Sequence, residues 1–284
     1  MKTYLAHKNE IEGFKDVADT VKTVEKIAAT SIHFLKQEVL NLNSYILNTE
    51  KVLKRAQLFY SKKDSPLLNK KMKGNEALVV LTGDKGLVGG LWHDVIAKFL
   101  DDNAKYKYII VVGAKGSQYL DEENIKVFNI FKGLPDIPMD NEIKNISNYI
   151  FDKFKDDTFS SVDILYPSFI SLAEQKSVFV NFLPFTFEKV KENITTDKTL
   201  GIPIFEPSKR DIFENILQKY VQIYFYKIIM EGKLSELSAR TVSMEHATEK
   251  TNESIRKFTL DYTKDRHRFI TQKQLESFAA HRTI

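Results

Sequence analysis

The chain has 284 residues, of which 43% are hydrophobic and 28% charged, and its formal net charge is +4. This length allows one or two domains with a real core. So small a net charge argues against nucleic acid as a partner, because binding there needs clustered Lys and Arg. Cysteine is absent, which excludes disulfides and thiolate metal sites. The most apolar run, Tyr220 to Met230, is too short to span a bilayer, so we expect no transmembrane segment and at most a peripheral role at a membrane.

The first predicted element is a long helix from Glu10 to Tyr60, in which Gly13 is the one helix breaker. Apolar side chains three and four positions apart form a stripe along it, as in the seam of a coiled coil. The residues before Glu10 are interpreted as an N-terminal extension. The predicted seam contains Val17, Val21, Val24, Ala28, Leu35, Leu42, Ile46 and Leu53.

The middle of the chain has a different pattern, since all seven prolines lie between Pro66 and Pro207 and the apolar runs become short. Strands that alternate with helices predict a parallel or mostly parallel sheet with both faces covered. The last two strands, joined by residues 167–176, are predicted to form a hairpin at the sheet edge. The predicted strands are 77–82, 108–113, 125–131, 162–166 and 177–182, and the predicted helices are 91–101, 117–120 and 141–154.

A glycine-rich turn, residues 83–90, follows the first predicted strand and opens a helix. Free backbone N–H groups and the helix dipole at such a place attract anions, so nucleotide binding is one hypothesis. The spacing matches neither the dinucleotide-binding fingerprint nor the P-loop. A tight turn that needs glycine for its backbone geometry is the favoured alternative.

Side chains with catalytic potential are scattered. The six histidines have no metal-ligand spacing, and the serines at 168 and 171 have no base near them in the sequence. We therefore predict no catalytic residues, no metal and no cofactor, and a protein that is not an enzyme on its own.

The last predicted element is a helix from Ser208 to Ile284, a stretch with no proline and with Gly232 as its one glycine. At 1.5 Å per residue it would be on the order of 100 Å long, and a helix of this length needs a partner. The N-terminal helix is the predicted partner. The seam on this helix contains Tyr220, Ile223, Met230, Leu234, Leu237, Met244, Ile255, Phe258, Tyr262 and Phe269.

The predicted fold class is therefore α/β plus coiled coil, in which two long terminal helices pair and flank a small central α/β domain. The predicted divisions are 1–73 for the N-terminal helix and a connector, 74–207 for the α/β domain, and 208–284 for the C-terminal helix. A coiled-coil scaffold protein with a globular hinge domain would have the same layout, and it stays open as an alternative on these patterns alone.

Three segments, in order along the chain, resemble motifs of the gamma subunit of F-type ATP synthases. They are Thr82–Leu91 (TGDKGLVGGL), Ser238–Thr248 (SARTVSMEHAT) and Tyr262–Gln272 (YTKDRHRFITQ). A fainter match lies at Glu25–Thr30 (EKIAAT). The resemblance covers the whole chain and implies a Rossmann-like central domain. Departures such as Val88 in place of the family's cysteine suggest a divergent bacterial member.

The resemblance implies a non-catalytic rotor shaft that couples ion-driven rotation of the membrane c ring to ATP synthesis or hydrolysis. Its implied partners are the alpha and beta subunits, the epsilon subunit and the c ring. Its implied location is peripheral, at the cytoplasmic face of the bacterial inner membrane.

The resemblance also implies partner-binding residues. Arg266 corresponds to the arginine near the beta-subunit catch loop, and His267 stands where the family has glutamine. Arg240 is expected to face the beta subunit's lever region. Phe205 and Glu206 resemble a segment at the foot of the shaft, near the c ring.

Overall fold

The computed structural model describes residues 4–57, 65–69, 74–102, 105–186, 206 and 208–281. The chain divides into two compact units. One unit combines residues 1–30 with residues 240–284, and the other comprises residues 31–239. The first and last helices each contribute residues to both units.

The described elements follow the predicted order of a long helix, an α/β region and a second long helix. The helices are α1 (Tyr4–Gln57), α2 (Leu91–Asp101), α3 (Ala114–Glu122), α4 (Asp140–Lys155) and α5 (Lys209–His281). The strands are β1 (Asn75–Leu81), β2 (Tyr108–Val112), β3 (Asn129–Phe131), β4 (Phe159–Phe169) and β5 (Gln175–Leu183).

The five strands form one sheet in the order β3-β2-β1-β4-β5. β1 pairs in parallel with both β2 and β4, and β2 pairs in parallel with β3. β5 returns antiparallel to β4 from Phe169↔Gln175 to Val162↔Leu183, which confirms the predicted hairpin edge. The sheet is thus mixed. From β1 the chain continues to β2 and β3 on one side, and then to β4 and β5 on the other side of β1. Open α/β sheets bind ligands at such a switch point, here between β1 and β4.

Successive residues of the strands face two separate cores, as the twofold period of a strand requires. On one face, Leu78 and Val80 pack with α2 and α3 side chains such as Phe99 and Leu120. On the other, Val79 and Leu81 pack with α4 and with parts of α1 and α5. The residues that α1 and α5 add to this second core are Ile46, Leu53, Ala56, Phe213, Leu217, Tyr220, Val221, Phe225, Ile228 and Ile229.

Within the unit of residues 31–239, α5 is buried on more than the predicted stripe. All residues from Gly232 to Ala239 are buried, and Phe213, Val221 and Phe225 are fully buried although the predicted seam omits them. A seam buries one stripe of a helix, whereas this part of α5 also covers a face of the sheet. The helix therefore needs apolar side chains on several sides.

In the unit of residues 1–30 and 240–284, the ends of α1 and α5 run antiparallel. Tyr4 contacts Phe269 with ring centroids 5.3 Å apart, and farther along α1 Phe14 stacks on Phe258 at 5.3 Å. The prediction that Val17 lies in the seam is wrong, because this residue is 50% exposed. Phe14 lies on the inner face one helical turn earlier.

The predicted N-terminal extension is also wrong as a separate segment, since α1 already begins at Tyr4. Gly13 does not interrupt the helix. The packing of the two long helices and the mixed sheet confirm the predicted fold class. The division at residues 73/74 and 207/208 stays a prediction. Among the described helices, none combines the length and apolarity that a bilayer span requires.

Candidate functional site

The surface of α5 around Arg266 is the first candidate site. Arg266 and His267 are both exposed, and within the described residues neither side chain forms a hydrogen bond or an ion pair. The neighbouring Asp265 is engaged instead. One of its oxygens lies 3.4 Å from Nε2 of His7, and the other lies 3.5 Å from Arg268. The guanidinium of Arg266 therefore has its full set of donors available to an outside acceptor.

The beginning of α1 supports this surface from behind. Tyr4 packs against Tyr262 and Phe269, with ring centroids 6.1 Å and 5.3 Å away. His7 lies between two carboxylates, because its Nδ1 is 3.2 Å from Glu10 and its Nε2 faces Asp265. These contacts hold this stretch of α5 against the beginning of α1.

The remaining predicted partner-binding residues have different environments. Arg240 is only 5% exposed, so most of its side chain contacts its own chain. Glu206 is exposed. Phe205 lies outside the described residues. Arg266 and His267 are neighbours on α5, whereas Arg240 lies on the same helix 26 residues earlier, about seven turns away.

The glycine-rich turn forms the second candidate site, at the carboxyl edge of the parallel strands. The carboxylate of Asp84 accepts three backbone hydrogen bonds there. Its Oδ1 accepts one from Ala114 at 2.8 Å, and its Oδ2 accepts two, from Gly133 at 2.9 Å and Leu134 at 3.0 Å. Ala114 begins α3, so a carboxylate already occupies the anion-binding end of that helix.

This arrangement supports the tight-turn interpretation and closes the start of α3, whereas the helix that the glycine-rich turn opens in the sequence is α2. A phosphate at the first residue of α3 would compete with a carboxylate that belongs to the chain itself. Thr82 adds a further link, since its hydroxyl donates to the carbonyl of Val112 at 3.0 Å and accepts from Gly116 N–H at 3.0 Å. Asp84 and Thr82 therefore join β1 directly to the start of α3.

The crevice beside this edge is filled by α5. Lys233 Nζ donates to Oε2 of Glu236 at 3.1 Å and to the carbonyl of Leu134 at 3.3 Å. The two side chains are 6% and 2% exposed. A Cβ on Gly83 would lie 2.7 Å from Oε1 of Glu236 and 2.6 Å from the Trp92 ring, so a side chain here would force these groups to move. The cavity that remains measures about 20 Å³, room for one water molecule and not for a nucleotide.

A second polar contact joins α5 to the neighbouring strand. The hydroxyl of Ser168 in β4 donates to Oε1 of Glu231 at 2.6 Å. Burial, with the Glu231 carboxylate as a smaller cause, raises the pKa of Tyr166 on the same strand. The Ser168–Glu231 bond and the Lys233–Leu134 bond together hold this face of α5 to the sheet and to the loop after β3.

Sequence reasoning missed the roles of Asp84, Lys233 and Glu236. Asp84 stands inside a motif that was selected for its glycines. Lys233 and Glu236 are three residues apart on α5, a spacing that allows an ion pair but does not distinguish a buried pair from an exposed one. In the described part of the chain, no group of three or more His, Asp or Glu side chains is arranged to hold a metal.

Comparison with known proteins agrees with this architecture. The family model described as ATP synthase matches residues 5–277. The ATP synthase gamma chain of Desulfitobacterium hafniense is 27% identical over 93% of this chain and 92% of its own length. That of Clostridium novyi is 28% identical over 95% of this chain and 94% of its own length.

Solved structures show the same fold. A chain in the Euglena gracilis mitochondrial ATP synthase OSCP/F1/c-ring structure aligns with a TM-score of 0.65 at 17% identity, over 99% of this chain and 94% of that one. A chain in the rotor of the same enzyme aligns with a TM-score of 0.62 at 19% identity, over 94% of this chain and 98% of that one. The chain therefore belongs to the ATP synthase gamma chain family, the family of the non-catalytic central-stalk rotor subunit of F-type ATP synthases.

Proposed function

We propose that this rotor subunit works between a ring of alpha and beta subunits and a membrane c ring, with an epsilon subunit at the foot of the shaft. Rotation of its asymmetric surface presents different contacts to each catalytic site in turn. Coupling of this kind requires that the contacts differ in free energy between the states of the site. The complex is proposed to sit at the cytoplasmic face of a bacterial inner membrane, with this subunit held there peripherally.

The observation that carries the proposal is the state of Arg266. Its guanidinium is exposed, and within the described residues it is unpaired, on a helix that α1 supports from behind. A planar guanidinium binds carboxylates through two parallel hydrogen bonds. Arg266 is therefore proposed to bind an acidic loop of a beta subunit, with His267 at the rim of the same contact.

The other predicted contacts belong to the same proposal. Glu206, with Phe205, is proposed to meet the c ring at the foot. Arg240 is proposed to reach the beta subunit's lever region through the small part of its side chain that is exposed. Because so little of it is exposed, Arg240 is expected to contribute less to partner binding than Arg266.

Replacing Arg266 with alanine should weaken binding of this chain to a hexamer of its alpha and beta subunits about tenfold. Hydrogen bonds to charged groups contribute about 1.5–3 kcal/mol, and 1.4 kcal/mol corresponds to about a factor of ten in affinity. Arg266→Lys keeps the charge but loses the planar guanidinium, so its affinity for the hexamer should lie between those of wild type and Arg266→Ala. The measurement is a titration of the hexamer with each variant, in which the rate of ATP hydrolysis reports binding.

Arg256→Ala is the matched control, because Arg256 is also exposed on α5. An equal loss with this control would show that only general charge matters. Wild-type chain that neither co-purifies with the hexamer nor changes its ATP hydrolysis would overturn the proposed function as a whole.

A further inference from the structure

Most of the contact between α5 and the sheet is apolar. Phe213, Leu217 and Phe225 are fully buried in the core that α5 shares with β4 and β5. Apolar burial is non-directional and depends mainly on the area removed from water. Such a contact holds α5 onto the sheet by close packing, and a polar contact adds a preferred distance and direction to it.

The Lys233–Glu236 pair supplies a directional contact here, beside the hydrogen bond from Ser168 to Glu231. Both side chains are almost completely buried, and Lys233 reaches across to the carbonyl of Leu134, in the loop after β3. Burying two charges costs free energy, so pairs of this kind are poor contributors to stability. Their best-attested use is to specify register. Lys233 and Glu236 lie on the same helix, so the register here comes from the bond of Lys233 to the Leu134 carbonyl and from the contact of Glu236 with Gly83.

The acceptor of this pair is itself fixed in place. The N–H of Leu134 donates to Asp84, which also binds the start of α3. Glu236 rests directly on Gly83, where an added side chain would force it to move. The pair therefore joins α5 to a rigid network at the edge of the sheet and not to a freely moving loop.

We propose that Lys233 and Glu236 are a positioning pair that fixes the rotational register of α5 on the α/β sheet, so that torque passes between the sheet and the helix without slip. This inference rests on the proposed rotor function. It acts because rotation of α5 relative to the sheet would break the buried hydrogen bond from Lys233 to the Leu134 carbonyl.

The test replaces the pair by apolar side chains of similar length, Lys233→Met with Glu236→Met, in the complete membrane complex. ATP-driven ion transport into vesicles is followed with a potential-sensitive dye, together with ATP hydrolysis by the same vesicles. We expect transport per ATP hydrolysed to fall at least threefold, with hydrolysis within twofold of wild type. Thermal unfolding of the double variant should be unchanged or shifted upward, because apolar replacement of a buried pair is often stabilising.

The control removes an exposed pair of the same charges on α4, Asp140→Asn with Lys144→Met, whose side chains are 68% and 58% exposed. Its transport per ATP should equal that of wild type. Glu236→Gln keeps the shape and an acceptor for Lys233, and it should lose less transport than the double replacement.

Unchanged transport per ATP in a folded, assembled double variant would overturn the inference. If the double variant fails to assemble, Glu236→Gln decides the question in the same way. Failure of the proposed function has a different signature, since the wild-type complex itself would then show no coupled transport.

Discussion

Replacing Asp84 with alanine is expected to lower the free energy of unfolding by about 3 kcal/mol, because three backbone N–H groups lose a charged acceptor. Hydrogen bonds to charged groups contribute about 1.5–3 kcal/mol each. Two of the three donors lie at loop positions, Gly133 and Leu134, where water replaces part of the loss. The measurement is equilibrium unfolding in urea followed by circular dichroism.

Two further variants sharpen this result. Asp84→Asn keeps one acceptor oxygen but turns an amide NH₂ toward N–H donors. It should therefore retain less than half of the free energy of unfolding that Asp84 contributes. Asp101→Ala removes an exposed carboxylate at the end of α2 and should change the free energy of unfolding by less than about 0.5 kcal/mol. A loss below about 1 kcal/mol for Asp84→Ala would mean that the three bonds contribute little net stability.

Replacing Phe225 with alanine is expected to cost about 3–5 kcal/mol, the usual range for removing a fully buried aromatic ring. The ring of Phe225 is completely buried and lies 5.4 Å from that of Phe182 in β5. Its loss leaves a cavity between α5 and the sheet that the surrounding backbone cannot close. Phe225→Leu keeps part of the volume and should cost less.

The matched control is Phe278→Ala on the same helix, where the side chain is 72% exposed. It should change the midpoint of thermal unfolding very little, whereas Phe225→Ala should lower it by many degrees. Equal shifts for the two variants would contradict the role assigned to the buried face of α5.

The long helices could be predicted because periodicity is a local signal. α2 was predicted with the bounds that it has, and α5 with bounds within a few residues at each end. Strand ends were less certain, since β3 spans only Asn129–Phe131 while the apolar run begins at residue 125. An apolar run indicates burial, but pairing with a neighbouring strand decides where a strand begins.

The misses share a physical cause. Phe14 and Val17 are both compatible with a seam, and only the position of α5 decides which one is covered. Likewise Asp84 has three backbone donors around it because Ala114, Gly133 and Leu134 come together in the fold. The large separations in sequence between Asp84 and these three donors leave no periodic pattern that could be recognised. The motif resemblance singled out this segment but did not assign a role to the carboxylate of Asp84.

The shared core beneath the sheet also bears on how the chain is made. Side chains from residues 46–56 near the start and 213–229 near the end complete one apolar face together. Contacts between segments so distant in sequence slow folding, because the chain must close a long loop before they form. While the ribosome is still synthesising α5, part of that face stays open to water, and such surfaces aggregate. Truncation before residue 213 is therefore expected to yield insoluble protein that binds chaperones during synthesis.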